Sequence, residues 1–421
     1  MLTVVSYKNR IWLGTIIVLA ATVSASLAQD PRGASDQVTL EPVRQCLAPV
    51  LTIPGVWQTG NYLFVSARGV SEFKKRLNSA GRCGYQMDSL TKWPLARNQT
   101  LEQMIMFAVM KYVGKEFFEY DWFEAFTPGE TQTRINFRAQ SGFYFREVLP
   151  FSVDACGKSD NTVPGKSDTE RIFDQAIDSL SFYYGGIYFV EKRSNSNFKP
   201  EYKVAIGVIG SGKSPSKQLE MELRESPGFL PVAFGTYKIQ NRYAIGVLLE
   251  KGVGRVPVTG SDLHVIRSEF GFEKKIRTQA KAGFEMILSG EMGAFRHALL
   301  QRKADGAVRQ YAWLDATSTN FEKQLQQLSN NSFRQVGLKT RAFECDSAET
   351  QMLFALTDKP ANSKYKYAML KLDLPPYLDI QTSSDSEISR LFAEFLDKGF
   401  VFKDLYFDSD IYAIFEKANG N

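Results

Sequence analysis

The sequence predicts an α+β protein of about six tandem β-α-β-β units, each a small sheet covered by one helix, packed in pairs or as an array. Three observations carry this expectation. A glycine followed by an aromatic recurs at Gly84-Tyr85, Gly142-Phe143, Gly228-Phe229, Gly283-Phe284 and Gly399-Phe400, with Ser332-Phe333 in the same place in a degenerate copy. Apolar residues return at fixed distances before this pair, and an apolar run ending in charge returns after it. Self-similarity at such a period is the signature of one supersecondary unit repeated along a chain.

The helix comes from the upstream columns. Phe73, Phe272, Phe321 and Ile388 stand eleven residues before the glycine position, and Leu77, Ile135, Met221, Ile276, Leu325 and Phe392 stand seven before it. Ala80, Ala139, Ala280, Leu328 and Phe395 stand three or four before it. Such spacings mark one face of an α-helix. The glycine then falls where a helix end needs a left-handed residue. Ser71, Ser318 and Ser384 or Ser386 lie near the helix starts and are expected as N-caps. The third copy fits worst, because Leu219 and Leu223 are out of register and Pro227 is expected to end its helix.

Strands flank the helix. Before it lie Tyr62–Val65, Tyr120–Phe123, Tyr202–Ile206, Leu263–Ile266, Tyr311–Leu314 and Tyr367–Leu370. After it, the aromatic opens a second strand, and a turn leads to a third that closes on Ala108–Lys111, Tyr188–Lys192, Val247–Lys251, Ala298–Arg302, Leu353–Lys359 and Tyr412–Lys417. Helix columns, cap glycine and strand runs agree in register, and agreement across levels is what a specified fold looks like. The helix is long enough to be a right-handed crossover between parallel neighbours, and the last two strands form an antiparallel hairpin. One helix covers one sheet face only, so the units must stack through their remaining apolar surfaces.

The expected organisation is a leader at 1–28, an N-terminal segment at 29–56, and repeats at 57–113, 114–195, 196–253, 254–304, 305–359 and 360–421. The second repeat carries an insertion near 157–184, where Ile172, Ala176, Ile177 and Leu180 suggest an extra helix. The strand–helix–hairpin pattern, with Phe73–Leu77, Phe272–Ile276 and Phe321–Leu325 ahead of a Gly-aromatic pair, resembles small bacterial domains of unknown function. That resemblance covers the chain after about Trp57 and implies a fold but no activity.

Lys8 and Arg10 precede the apolar run Ile11–Ala21, and Ser26 and Ala28 fit the small positions before a cleavage point, the tripartite pattern of a secretory signal peptide. The run is shorter than the roughly 20 residues that span a bilayer, and no later stretch is long and apolar enough, so export without a membrane span is expected. The net charge is +5, of which the leader supplies two. The remaining +3 is too small to imply a nucleic-acid or anionic-lipid partner. An exported chain permits disulfides among Cys46, Cys83, Cys156 and Cys345, and Cys46–Cys83 is favoured as the pair nearest in sequence.

Motifs that suggest chemistry have plainer readings beside them. Gly207–Ser214 matches the phosphate-loop string, yet Pro215 removes a donor at once and the segment is the first connection of the third repeat. His264 and His297, the only histidines, fall on the first and last strands of the fourth copy, where they would pair as metal ligands, with Glu291, if those strands were neighbours. The run Glu116–Glu124 offers a stacking ledge for sugars or a carboxylate set for glycosidic chemistry through Glu119, Asp121 and Glu124, or simply an amphipathic strand. Phe182–Phe189 offers the same alternatives. Asn98-Gln-Thr100 and Asn330-Asn-Ser332 match glycosylation acceptors, relevant only in a eukaryotic secretory pathway. No residue earns a catalytic, cofactor-binding or metal-ligating assignment.

The resulting expectation is an exported, periplasmic or secreted, non-enzymatic binding or scaffold module. Its partner would be a protein, peptide or glycan of the cell envelope. The alternatives are a carboxylate-dependent hydrolase acting on glycans, and nucleotide or phosphate binding at 207–214.

Overall fold

The computed structural model describes residues 45–92, 100–150, 185–194, 196–208, 214–240, 242–252, 263–268, 271–292, 295–302, 310–315, 321–331, 333–344, 347–356, 365–372, 384–407 and 411–418. The leader at 1–28, the whole 157–184 insertion with its expected extra helix, Cys156, Cys345, Lys213 and Ser318 lie outside them. The unit from Val43 onward contains every described element.

Six copies of one motif follow a short helix α1 (45–51). The first has β1 (Val56–Thr59), β2 (Tyr62–Arg68), α2 (Val70–Gly81), β3 (Tyr85–Lys92) and β4 (Ile105–Tyr112). The second has β5 (Phe118–Ala125), α3 (Pro128–Gln140), β6 (Tyr144–Pro150) and β7 (Gly186–Arg193). The third has β8 (Glu201–Val208), α4 (Pro215–Arg224), β9 (Leu230–Ile239) and β10 (Arg242–Lys251). The fourth has β11 (Leu263–Ser268), α5 (Phe272–Lys281), β12 (Phe284–Met292) and β13 (Phe295–Arg302). The fifth has β14 (Gln310–Asp315), α6 (Phe321–Asn330), β15 (Phe333–Glu344) and β16 (Ser347–Leu356). The sixth has β17 (Tyr365–Leu372), α7 (Ser384–Asp397), β18 (Val401–Phe407) and β19 (Ile411–Ala418).

The expected α+β repeat is therefore present, with one correction to its topology. In every copy the last strand lies in the middle of the sheet, antiparallel to both others. The strands joined by the helix are parallel to each other but flank that middle strand, so the crossover passes over one strand instead of joining neighbours. The middle strand is consequently the most buried, as in the run Ala244–Glu250. Val56–Thr59 adds a fourth strand to the first sheet by pairing with β2.

Each helix fills the space between its own sheet and the next. Phe73, Leu77 and Ala80 join Phe118, Tyr120 and Phe189 of the second copy in one apolar cluster. Ile135 and Ala139 meet Tyr202 and Val204 of the third, and Phe272, Ile276 and Ala280 meet Tyr311 of the fifth. The last junction returns to the start: Phe392, Phe402 and Phe415 of copy six pack on Trp57, Tyr62, Phe64 and Phe107 of copy one. The second strand of each copy forms the inner edge, with β3, β6, β9, β12 and β15 meeting in order and β18 meeting β3. The array thus closes into a ring, and a unit too small to bury its helix alone buries it against a neighbour on either side.

The helix ends separate correct from incorrect expectations. Gly142 and Gly399 take φ 87° and φ 78°, and the following N–H groups of Phe143 and Phe400 reach back to the Arg138 and Phe395 carbonyls. This is the left-handed C-terminal cap that a side chain with a Cβ would strain. Of the expected serine N-caps, Ser318 lies outside the described residues and the others lie inside their helices. Gly69 precedes α2, Ser71 lies inside it with its hydroxyl on Glu102, and Ser384 and Ser386 lie inside α7. The side-chain cap that does form is Thr127 with Glu130, a reciprocal capping box.

The third copy departs differently from expectation. Pro215, Leu219 and Leu223 are the buried face of α4, and Met221 is 52% exposed. The helix stops at Arg224, ahead of Pro227. Counted from the helix instead of the glycine, its core positions match those of the other copies, and Ser226-Pro227 is a two-residue insertion that displaces Gly228.

Candidate functional site

Polar residues line the junctions between copies, in an inner layer that recurs and an outer one at the junction of copies one and two. The inner layer is a hydrogen-bonded joint repeated around the ring. Four residues after each cap glycine, the second strand carries a β-bulge, leaving Asp88, Arg146, Val232, Ile287 and Lys403 out of the ladder in five copies and 336–338 in the fifth. The residue before the bulge turns its N–H to the neighbouring copy. Met87, Phe145 and Met286 donate to the hydroxyls of Tyr120, Tyr202 and Tyr311 at 2.7, 2.6 and 2.8 Å, and Tyr62 makes the equivalent contact with the Phe402 backbone. Between copies three and four both partners change. Pro231, which has no N–H, takes the donor position, and Leu263 takes the tyrosine position in the register. The loss of a donor together with its acceptor leaves no orphaned group behind.

The residue following the middle helix core position makes a second clasp. Asn78 accepts from the Tyr120 N–H at 2.6 Å and donates to the Tyr120 carbonyl at 2.9 Å, and Asn136 does the same for Tyr202 at 2.8 Å in each direction. At the junction without the tyrosine joint, Glu220 accepts the Val265 N–H at 2.8 Å and faces His264 Nδ1 at 2.9 Å.

Buried carboxylates complete this layer. Tyr202 donates to Glu250 at 2.5 Å and Tyr367 to Glu416 at 2.6 Å. Glu191, wholly buried, accepts from Gln86 at 2.6 Å and from Tyr144, with Arg146 and Arg193 each 3.8 Å away. Burial and then the Glu191 charge push the Tyr144 phenol well up. Asp88 is open to water yet hemmed in by the inner strands, and the loss of solvation raises its carboxyl against the pull of Lys111 and Arg146.

The outer layer is a recess of roughly 420 Å³ at the junction of copies one and two, lined by Asn78, Arg82, Phe117, Phe118, Glu119, Lys192 and Ser194. Phe117 is 55% exposed, yet its backbone is fixed at both ends: its N–H donates to Ser194 Oγ at 3.2 Å, and its carbonyl accepts the Ser194 N–H at 2.9 Å. Glu119 and Lys192 face each other in the β5–β7 ladder without closing an ion pair among the described residues.

Of the run Glu116–Glu124, Phe118, Tyr120 and Phe123 are buried, and Phe117 and Glu119 face the recess. Asp121 is bound by Lys74 at 2.6 Å and Arg138 at 2.8 Å, and strand alternation places Glu124 on the opposite face from Glu119 and Asp121. The histidine strands β11 and β13 are neighbours, but His264 stands opposite Leu300, three residues from His297. An odd offset puts the two rings on opposite faces of the sheet, so they do not form a pair of ligands. Gly207 is a strand residue opposite Ile245, packed so closely on the Pro215 carbonyl that a Cβ would overlap it, and the Val208 N–H is taken by Gln218 at 2.8 Å. Cys46 and Cys83 form the expected disulfide, tying α1 to the end of α2. Among the described residues no helix is long and apolar enough to cross a membrane.

Arg82, Lys192 and Ser194 belong to no sequence motif. The one trace of them in the sequence is the charged strand ending at Lys192. Comparison with protein-family models, curated proteins and solved structures returned no match.

Proposed function

We propose that the protein is an exported, non-enzymatic binding or scaffold module that engages a protein, peptide or glycan of the cell envelope. The observation that carries this reading is the division of labour between repeated and unrepeated residues. The residues that recur in register serve the frame: the tyrosine of the opening strand and the bulge N–H join one copy to the next at four junctions, and the cap glycine ends the helix within its own copy. Positions that vary between copies and stay open to solvent, such as Asp88 against the half-buried Val232 and Ile287, or Phe117 against Lys199, are the ones left to meet something else. A rigid frame with variable display is how repeat proteins make binding surfaces. The leader supports the compartment, since an N-terminal basic and apolar segment of this kind directs export.

The test is capture from envelope extract by the mature chain, run beside a Phe117→Ala/Arg82→Gln/Lys192→Gln variant. Specific retention that the variant loses supports a binding module acting through this junction. No difference between variant and parent would remove that support.

A further inference from the structure

Residues lining the recess between copies one and two have equivalents one junction further on, and the differences between the two sets indicate its ligand. Register makes Lys199, Pro200, Glu201 and Lys251 of the third copy equivalent to Phe117, Phe118, Glu119 and Lys192 of the second. In the third copy the acid and base close on each other, Lys251 Nζ lying 3.6 Å from Glu201. In the second copy the same two positions stay apart, and the preceding cation is replaced by an exposed phenyl ring. Arg82, exposed at the end of α2, adds a second cation. Lys192 lies over the Phe143 ring at 5.7 Å, which steadies it without neutralising it.

We infer that this recess binds a carboxylate-bearing sugar, the uronic-acid residue of an acidic envelope glycan, a deepening that rests on the binding-module reading above. Its volume falls in the range of small-ligand sites. A pyranose ring presents one face of C–H bonds, which an aromatic ring can cover, and the backbone that carries the exposed Phe117 ring is fixed by its paired bonds to Ser194. The sugar carboxylate pairs with Arg82 and Lys192, where charge-assisted hydrogen bonds are strong and Arg offers a planar fork. Glu119 accepts from ring hydroxyls. That carboxylate also disfavours a ligand with charge at every residue, such as an acidic peptide, while tolerating one whose acid group is flanked by hydroxyls. The walls are preorganised, because both polar atoms of the Asn78 amide are already engaged by Tyr120.

Calorimetric titration of the full exported chain with a uronic-acid oligosaccharide tests this, with the carboxyl-reduced neutral oligosaccharide and polyglutamate as comparators. Binding of the uronate is expected, weakened about tenfold or more by Arg82→Gln/Lys192→Gln and by Phe117→Ala, with thermal melting unchanged in both variants. Phe117→Leu, which keeps apolar bulk without the flat face, should weaken binding as well. Equal affinity for the reduced sugar would overturn the acidic selectivity. Polyglutamate binding that survives Phe117→Ala would overturn the sugar in favour of an acidic peptide. Failure of every probe would overturn the site, while the module reading would still stand or fall by the capture experiment.

Discussion

The Tyr120 hydroxyl accepts the Met87 backbone N–H at 2.7 Å, and so a side chain of the second copy satisfies a backbone group exposed by a bulge in the first. Neither copy can make this bond alone. Tyr120→Phe keeps the buried ring but removes the acceptor of the Met87 N–H and the long bond that the hydroxyl donates to the Tyr85 carbonyl, leaving a buried donor unmet at a cost of about 1–3 kcal/mol. Denaturant unfolding should show that loss. No change in midpoint would mean that water reaches the bulge.

Alkaline pH should loosen all such joints together. Tyr62 and Tyr85 are pushed up to about 12, chiefly by burial, and burial also raises Tyr120, Tyr188, Tyr202 and Tyr237. An unfolded tyrosine ionises near 10. Above that pH the unfolded state releases protons that the folded state keeps, so stability falls as pH rises, by up to about 1.4 kcal/mol per unit for each tyrosine. Between roughly pH 10 and 12 the unfolding midpoint should drop steeply, with a further step of phenolate absorbance, from the buried tyrosines, coinciding with unfolding.

The acid side has the opposite sign. Burial works to raise the Asp121 carboxyl, but hydrogen bonds from Lys74 and the Trp122 N–H, with the Arg138 charge, outweigh it and hold the group below its ordinary value. Its contribution is therefore present above the unfolded carboxylate range and lost as pH falls through the folded value. Asp121→Asn should cost up to about 1 kcal/mol at neutral pH, given the partial exposure of its partners, and nothing once the native carboxyl is protonated. Stability curves of parent and variant should converge in acid.

Reducing the Cys46–Cys83 disulfide releases a constraint across 37 residues of sequence and should cost about 2–4 kcal/mol. Because Leu47 and Val50 of α1 lie in the first junction core, hydrogen exchange should rise first in α1 and at the end of α2. Uniform destabilisation, with no local opening, would show that α1 stays docked without its tether.

Much of the frame was legible because it is written in local spacing. Phe73, Leu77 and Ala80 mark a helix face without reference to any partner, and Gly142 and Gly399 mark its end. The strand order was not, since putting the last strand in the middle is a property of the pairing and leaves no local trace. Bulges escape for the same reason: Asp88 is an ordinary strand residue until Met110 and Val109 are seen to pair with Met87 and Ser89. The two-residue insertion at Ser226-Pro227 made a regular helix look irregular when counted from Gly228. The recess was least legible, because Arg82, Phe117 and Lys192 come from three elements spread over two copies and meet only when those copies dock.

Phe392 offers a direct test of closure. Its ring lies 4.7 Å from that of Phe64 and 4.6 Å from that of Phe415, inside the cluster shared by the last and first copies. Phe392→Ala should cost about 3–5 kcal/mol. If closure makes the copies unfold together, the loss should register equally in probes placed in copies three and four. A loss confined to copies six and one would show that they unfold independently.

Because the sixth copy rests on the first, copy number is a fixed quantity for this molecule. An open solenoid tolerates gain or loss of a terminal unit, with the new end serving as cap. Here a deletion or duplication changes the angle that every neighbour must subtend, and leaves Trp57 and Phe392 facing solvent. Lineages of this chain can therefore drift freely within a copy, but should change the number of copies only by rebuilding the whole circle.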